Sequence, residues 1–160
     1  SLGMTGRRHD EKIMKLLDFE LTTPERVAVR AKIRQVSIPT TEGEITVLPD
    51  HLPLVAPIRA GELRVVDEKG EELLLAVSGG FVTVHPGNRL AILADTAERA
   101  EELDLKAIEE AVKRAEQVLK EKIDDAERYA DATAHLAREM ARWKVVRKHR
   151  ERRGLPHVQQ

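Results

Sequence analysis

Not one of the 160 residues is a cysteine, which removes disulfides, thiolate metal sites and thiol nucleophiles together and leaves stability to packing alone. A reducing compartment fits this. Aromatics are nearly absent: two Phe, one Tyr and one Trp leave Val, Ile, Leu and Ala to build the core and offer no stacking platform for single-stranded nucleic acid. Neither sign of charge dominates, since 27 basic and 28 acidic side chains give a net charge of -1, so the chain as a whole has no field to gather a polyanion. No run approaches the roughly 18 apolar residues of a membrane span, and Ser1 to Lys12 is too polar for an export signal. A soluble, non-exported protein without direct membrane insertion is expected. Met4 follows Ser1-Leu2-Gly3, and that tripeptide reads as an addition ahead of the natural start.

What is present is 41% hydrophobic and 34% charged, the balance of a globular protein with an ionic surface. The text changes character once, near residue 96. Before it lie short Val- and Ile-rich runs separated by Gly, Pro and charged turns, an all-β signature. Strands are predicted at Leu17 to Thr22, Ala28 to Ile38, Gly43 to Leu48, Leu54 to Ile58, Gly61 to Val66, Glu72 to Ser78, Gly80 to Val84 and Arg89 to Ala94. Asp67-Glu68-Lys69-Gly70 and Pro86-Gly87-Asn88 supply the residues that reverse a chain, so both read as hairpin turns.

After Ala94 glycine is missing until Gly154 and proline until Pro156, which predicts helix. Asp95 with Glu98 resembles a capping box, and Asp104 is placed to cap the first long helix. Leu105, Ile108, Val112, Ala115 and Leu119 form one apolar stripe,. Asp124-Asp125 marks a break, after which a second helix is predicted from about Ala126 to Arg150, because paired carboxylates suit a helix start. Its inner stripe reads as Ala126, Ala130, Thr133, Ala137 and Ala141, with Leu136, Met140 and Trp143 alongside. Each Ala in place of Leu forgoes about 2.4 kcal/mol at about 0.8 per CH₂, so the hairpin is expected to be marginally held and to dock reversibly. The fold class is therefore α+β: an N-terminal β-sandwich of about eight to ten short strands, then a C-terminal antiparallel helical hairpin. The expected domains are 16–95 and 96–153, with 1–15 and 154–160 as flexible tails.

Catalytic machinery is not visible. Ser78 in Val77-Ser78-Gly79-Gly80 is neither a nucleophile elbow nor a phosphate loop,, and it reads as a bend. His135 and His149 on one helix would stand about 21 Å apart, too far to share a metal. Glu101, Glu102 and Asp104 sit where a helix start already favours carboxylates. No catalytic residue, metal or cofactor is assigned. The most distinctive stretch runs from Glu42 to Leu54: an acidic turn, an apolar strand, then a loop stiffened by Pro49 and Pro53. On the residues alone, His51 reads as a loop residue capping a backbone group.

Four pieces, Pro39-Thr40-Thr41-Glu42-Gly43-Glu44-Ile45-Thr46-Val47-Leu48-Pro49-Asp50-His51-Leu52-Pro53-Leu54, Ala60-Gly61-Glu62-Leu63-Arg64-Val65, Val77-Ser78-Gly79-Gly80-Phe81-Val82 and Leu93-Ala94-Asp95-Thr96-Ala97-Glu98-Arg99-Ala100, together resemble the epsilon subunit of the F-type ATP synthase (delta in mitochondria). The resemblance spans roughly residues 16 to 150. It implies a β-sandwich with a mobile helical pair, and a non-catalytic rotor subunit that joins the gamma subunit to the c ring on the cytoplasmic face of the cell membrane. An exposed aliphatic patch on the sandwich is expected where gamma docks.

By the same resemblance, Glu42, Gly43 and Glu44 match the turn that meets the c ring, and His51 matches the histidine beside it. The usual Pro-Gly-His of that loop is Pro49-Asp50-His51 here, and Asp tolerates the positive φ such a turn needs. The helices of relatives extend to block ATP hydrolysis by the catalytic beta subunits. Arg138, Arg142, Lys144, Arg147, Lys148, Arg150, Arg152 and Arg153, which meet only Glu139 and Glu151 in their own stretch, would form such an inhibitory arm. Some relatives bind ATP through a Leu/Ile-Asp-x-x-Arg-Ala motif. This chain has Leu103-Asp104-Leu105-Lys106-Ala107-Ile108, so Asp104 remains while the arginine is replaced. Lys106 would point about 100° around the helix from it, so nucleotide binding is expected to be weak or absent.

Overall fold

The computed structural model of the protein describes residues 14–121 and 124–154. The expectations for the tails fall outside these residues except at Met14, Lys15 and Gly154. Seven strands come first: β1 (Leu17–Thr22), β2 (Val27–Thr40), β3 (Gly43–Val47), β4 (Leu54–Pro57), β5 (Gly61–Asp67), β6 (Glu72–His85) and β7 (Arg89–Arg99). A 3₁₀ turn (Ala100–Glu102) leads into α1 (Leu105–Lys120) and α2 (Ala126–Arg152). No helix of the described residues is long and apolar enough to cross a membrane.

The strands are joined in the order β1-β7-β6-β5-β2-β3, and β1 also pairs with β2, so five of them form a closed circuit that leaves β3 and β4 at its margins. All pairings are antiparallel except β1 with β7. Closure hides strand edges that would otherwise template aggregation. Inside lie Leu17, Phe19, Leu21, Ile33, Ile38, Leu63 and Leu75, all at most 2% exposed, and in β1 they alternate with polar outward residues as a half-buried strand requires,. Both predicted turns form: Asp67 Oδ1 accepts from the backbone of Lys69 and Glu71, and Gly87 and Asn88 take φ of 83° and 57°.

Two predicted strands, Glu72 to Ser78 and Gly80 to Val84, are one. Gly79 and Gly80 take φ of 60° and 107° within β6, which bends the strand without ending it. Its first half pairs with β5 and its second half with β4, while β7 follows the other edge. The expected sandwich is therefore built from seven strands, with β2 and β6 each 14 residues long. Ser78, read as part of a bend, hydrogen-bonds Thr96 across to β7. The capping box read at Asp95 and Glu98 does not form. Those residues continue β7, where Ala97 pairs with Val77 and Arg99 with Leu75, because the ladder to β6 outcompetes a local helix start.

Asp104 caps α1 by accepting from the backbone of Lys106 and Ala107, and Asp125 caps α2 through Glu127, as the sequence predicts. The α1 stripe is also the observed one, with Leu105, Ile108 and Ala115 buried. The α2 stripe is not. Ala126, Ala130, Thr133 and Ala137 are exposed, whereas Glu139, Ala141, Val145 and Val146 are buried. The helix is rolled so that Val146 and Trp143 meet Leu105, Ile108 and Val112 of α1, since the larger side chains claim the seam and leave most of the alanines to solvent.

How the hairpin docks is written in β6. Leu74, Leu75, Ala76 and Val77 are all buried, a continuous run that signals burial on both faces. Leu75 and Val77 face the sandwich core. Leu74 and Ala76 face the other way and close over Val145 with Ala100. The junction into α1 is pinned by Arg26, which donates to the carbonyl of Ala97 and to Glu102. That Glu102 hydrogen bond raises the Arg26 pKa above its ordinary value.

Candidate functional site

Two loops, the α2 seam and the start of α1 carry the residues singled out by sequence. The acidic turn between β2 and β3 is held by Thr40, whose hydroxyl donates to the Gly43 carbonyl at 2.5 Å and accepts from the Glu42 N–H at 3.2 Å. Gly43 takes φ of 117°, a conformation that favours glycine. Glu42 and Glu44 are exposed. Glu44 meets Arg64 at 2.8 Å, while the Glu42 carboxylate has no ion-pair partner among the described residues. One negative charge of the turn is thus free for a neighbour.

The loop that carries His51 lies at the opposite end of β3, so the extended strand stands between it and the acidic turn. Asp50 takes φ of 66°, the positive value expected of a residue in the usual glycine's place. Its N–H donates to the Asn88 side chain at 2.6 Å, which ties this loop to the β6–β7 turn. Hydrogen bonds from Lys15 first, then Asn88, hold the Asp50 carboxyl below the usual range. His51 Nδ1 lies 2.6 Å from the Leu52 carbonyl. A carbonyl only accepts, so the proton sits on Nδ1 and Nε2 is left for another partner. The backbone-capping reading of His51 describes what it does in the folded chain.

Between these two ends the sheet presents an apolar outer face. Phe81 pairs with Leu93 on β7 and with Pro57 on β4. Phe81, Leu93 and Val55 are 56%, 57% and 68% exposed. Sequence reasoning expected a patch but not its residues. Its signal is adjacent apolar pairs, Phe81-Val82 and Ile92-Leu93, where a one-sided strand would alternate with polar residues.

The basic stretch of α2 does not meet only its own two glutamates. Arg142 contacts Glu98 of β7 at 2.6 Å and Glu139 at 2.5 Å, and Lys148 contacts Glu62 of β5 at 2.8 Å. Arg152 pairs with Glu72 of β6, and His149 lies 3.8 Å from Glu101. Arg147 stacks over Trp143 at 4.7 Å, and Lys144 is exposed. Arg138 is the least satisfied of the set, because its Nε is buried with no hydrogen-bond partner. Such an orphan costs about 1–3 kcal/mol.

The nucleotide-motif residues are separated. Asp104 lines a cavity of about 300 Å³ with Glu98, Glu102, Ala107, Glu139 and Arg142, where four carboxylates face one guanidinium. Lys106, next on the helix, is exposed and is not part of that wall. A wall of that sign repels phosphate.

A family profile described as "ATP synthase, Delta/Epsilon chain, beta-sandwich domain" matches residues 16–100. The chain belongs to the ATP synthase delta/epsilon chain family. An ATP synthase epsilon chain of Dehalococcoides mccartyi is 41% identical over 138 residues, 86% of this chain and 97% of the relative. That of Alkalilimnicola ehrlichii is 37% identical over 139 residues, 87% and 98% of the two chains. Among solved structures, a chain of the Euglena gracilis mitochondrial ATP synthase (OSCP/F1/c-ring) superposes with a TM-score of 0.70 at 24% identity, covering 79% of this chain and 78% of that one. That likeness supports the fold. The family match ends at the close of β7, so the sandwich of the delta/epsilon chain includes the Asp95–Arg99 strand that a helix reading would have cut off. As a member of this family the chain is a non-catalytic part of the ATP synthase.

Proposed function

We propose that this protein is the central-stalk subunit that links the gamma subunit to the c ring for proton-driven ATP synthesis, with α1 and α2 forming an arm that can leave the sandwich. The apolar outer face at Val55, Phe81 and Leu93 carries the reading. Three large apolar side chains held out on a closed sheet stay more than half exposed among the described residues, and a stalk subunit needs such a face for gamma. The acidic turn Glu42, Gly43 and Glu44 serves the c ring, where an exposed carboxylate sets register against basic loops more than it adds affinity. His51, at the other end of β3, offers Nε2 toward the same assembly. The subunit works at the cytoplasmic face of the cell membrane as a peripheral part of the complex.

The arm reading rests on the chemistry of the seam. The sandwich holds α2 by Val145 and by ion pairs at Glu62, Glu72 and Glu98, all of which keep part of their side chains in solvent, where salt weakens them. The buried orphan at Arg138 opposes the docked state. Released, Arg138, Arg142, Lys144, Arg147 and Lys148 would face acidic segments of the catalytic beta subunits and block hydrolysis. The Asp104 and Lys106 pair is no nucleotide site in this reading. Deletion from Arg138 onward, assayed as ATP hydrolysis by the assembled catalytic head, tests the arm: hydrolysis rises if α2 inhibits, and unchanged hydrolysis refutes it. The coupling role is tested separately, by Glu44→Cys crosslinking to the ring.

A further inference from the structure

The concave space between β5 and α2 has a volume of about 710 Å³, within the range of small-ligand sites. It shares no lining residue with the acidic cavity at Asp104. Its walls carry five cations, Arg59, Arg64, Lys144, Arg147 and Lys148, against the carboxylates of Glu44, Glu62 and Glu151. Arg64 and Lys148 are answered, by Glu44 and Glu62 at 2.8 Å each. Arg59 and Lys144 are exposed, and neither side chain has a hydrogen-bond or ion-pair partner among the described residues. Arg147 reaches Glu151 only at 3.8 Å and spends its face on Trp143, which leaves its edge donors available. Like charges gathered in one concavity raise the local potential and concentrate an anion there.

We infer that this cleft binds a compact multivalent oxyanion of the oligophosphate class, held by Arg59, Lys144 and Arg147. A guanidinium presents a donor fork that matches phosphate oxygens, and an ammonium adds a point charge. Several charges on the ligand are required, because exposed cations are screened within about 10 Å at ordinary salt. A nucleoside adds nothing to the fit, since Arg147 already covers the Trp143 ring. Arg59 comes from the segment between β4 and β5, whereas Lys144 and Arg147 are one turn apart on α2. The anion therefore bridges sandwich and hairpin, and the cleft exists only while α2 is docked.

Titration calorimetry of the full chain with inorganic tripolyphosphate at about 50 mM salt tests this. One saturable site is expected, weakened at least about tenfold in the Arg59→Gln/Lys144→Gln double variant and by raising salt to about 0.5 M. Both side chains are exposed and unpartnered, so the double variant keeps the fold. Asp104→Asn, which keeps the α1 cap, is expected to bind as the wild type does, and ATP no tighter than tripolyphosphate. Absence of a saturable site, equal binding by the double variant, loss in Asp104→Asn, or a clear preference for ATP would each overturn the assignment. The measurement uses the isolated chain, so its failure leaves the gamma-docking reading standing.

Discussion

Arg142 joins Glu98 of β7 to Glu139 of its own helix, with contacts of 2.6 and 2.5 Å from one guanidinium. Glu139 is buried and Glu98 half-buried, so this is the least screened ion pair across the seam. Arg142→Ala leaves the Glu139 carboxylate buried without its partner, at a cost of about 1–3 kcal/mol after discounting for partial exposure. Amide exchange through α2 is expected to accelerate by a factor of about 5 or more, while exchange in the sandwich strands stays as it was. Equal protection of α2 in the variant would show that the pair does not hold the arm.

Val145 sits fully buried against Leu74, Ala76 and Ala100. Val145→Ala removes two methyl groups from that contact, and about 2 kcal/mol of docking with them. Urea unfolding followed at Trp143 should shift to lower denaturant, whereas a probe inside the sandwich should not move.

Gly80 lies at φ of 107° with the Leu93 carbonyl against the position a Cβ would take. Gly80→Ala must push β7 away from β6 as well as adopt a disfavoured backbone, at an expected cost of about 2–4 kcal/mol. Thermal unfolding of the whole sandwich reads this out. Gly87→Ala, where a Cβ meets nothing within 4 Å, should cost less.

The Asp50 carboxyl is held below its ordinary range, chiefly by the hydrogen bond from Lys15 and then by Asn88. A depressed folded-state pKa contributes stability that is present above the unfolded value and is lost as pH falls through the folded one. Lys15→Met should raise the Asp50 pKa toward the ordinary value near about 3.9 and flatten that acid-side dependence. An NMR titration of the Asp50 carboxyl checks it.

Much of this fold is legible from residue order, and what is not has physical causes. β1 was predictable to the residue because Leu17, Phe19 and Leu21 alternate with polar neighbours, and Asp104 was predictable as a cap because its chemistry is local. Gly79-Gly80 looked like a break because glycine permits both an end and a bend, and only pairing with β5, β4 and β7 decides between them. The buried face of α2 lies about one helical step around from the alanine stripe, since a run of alanines does not say which larger side chains will find a seam. The partners of the basic arm were invisible. Glu62, Glu72 and Glu98 come from three strands, 86, 80 and 44 residues from the cations they meet. The resemblance groups the acidic turn with His51, and in the folded chain β3 runs from the one to the loop that carries the other.

Docking of gamma on the outer face of the sandwich is tested most directly by capture of the gamma subunit on the immobilised chain. Phe81→Asp and Leu93→Asp alter residues more than half exposed, so both variants should melt with the wild type. Loss of gamma capture by about 30-fold or more, the scale of a hot-spot residue, is the predicted result. Undiminished capture by both variants would contradict the account.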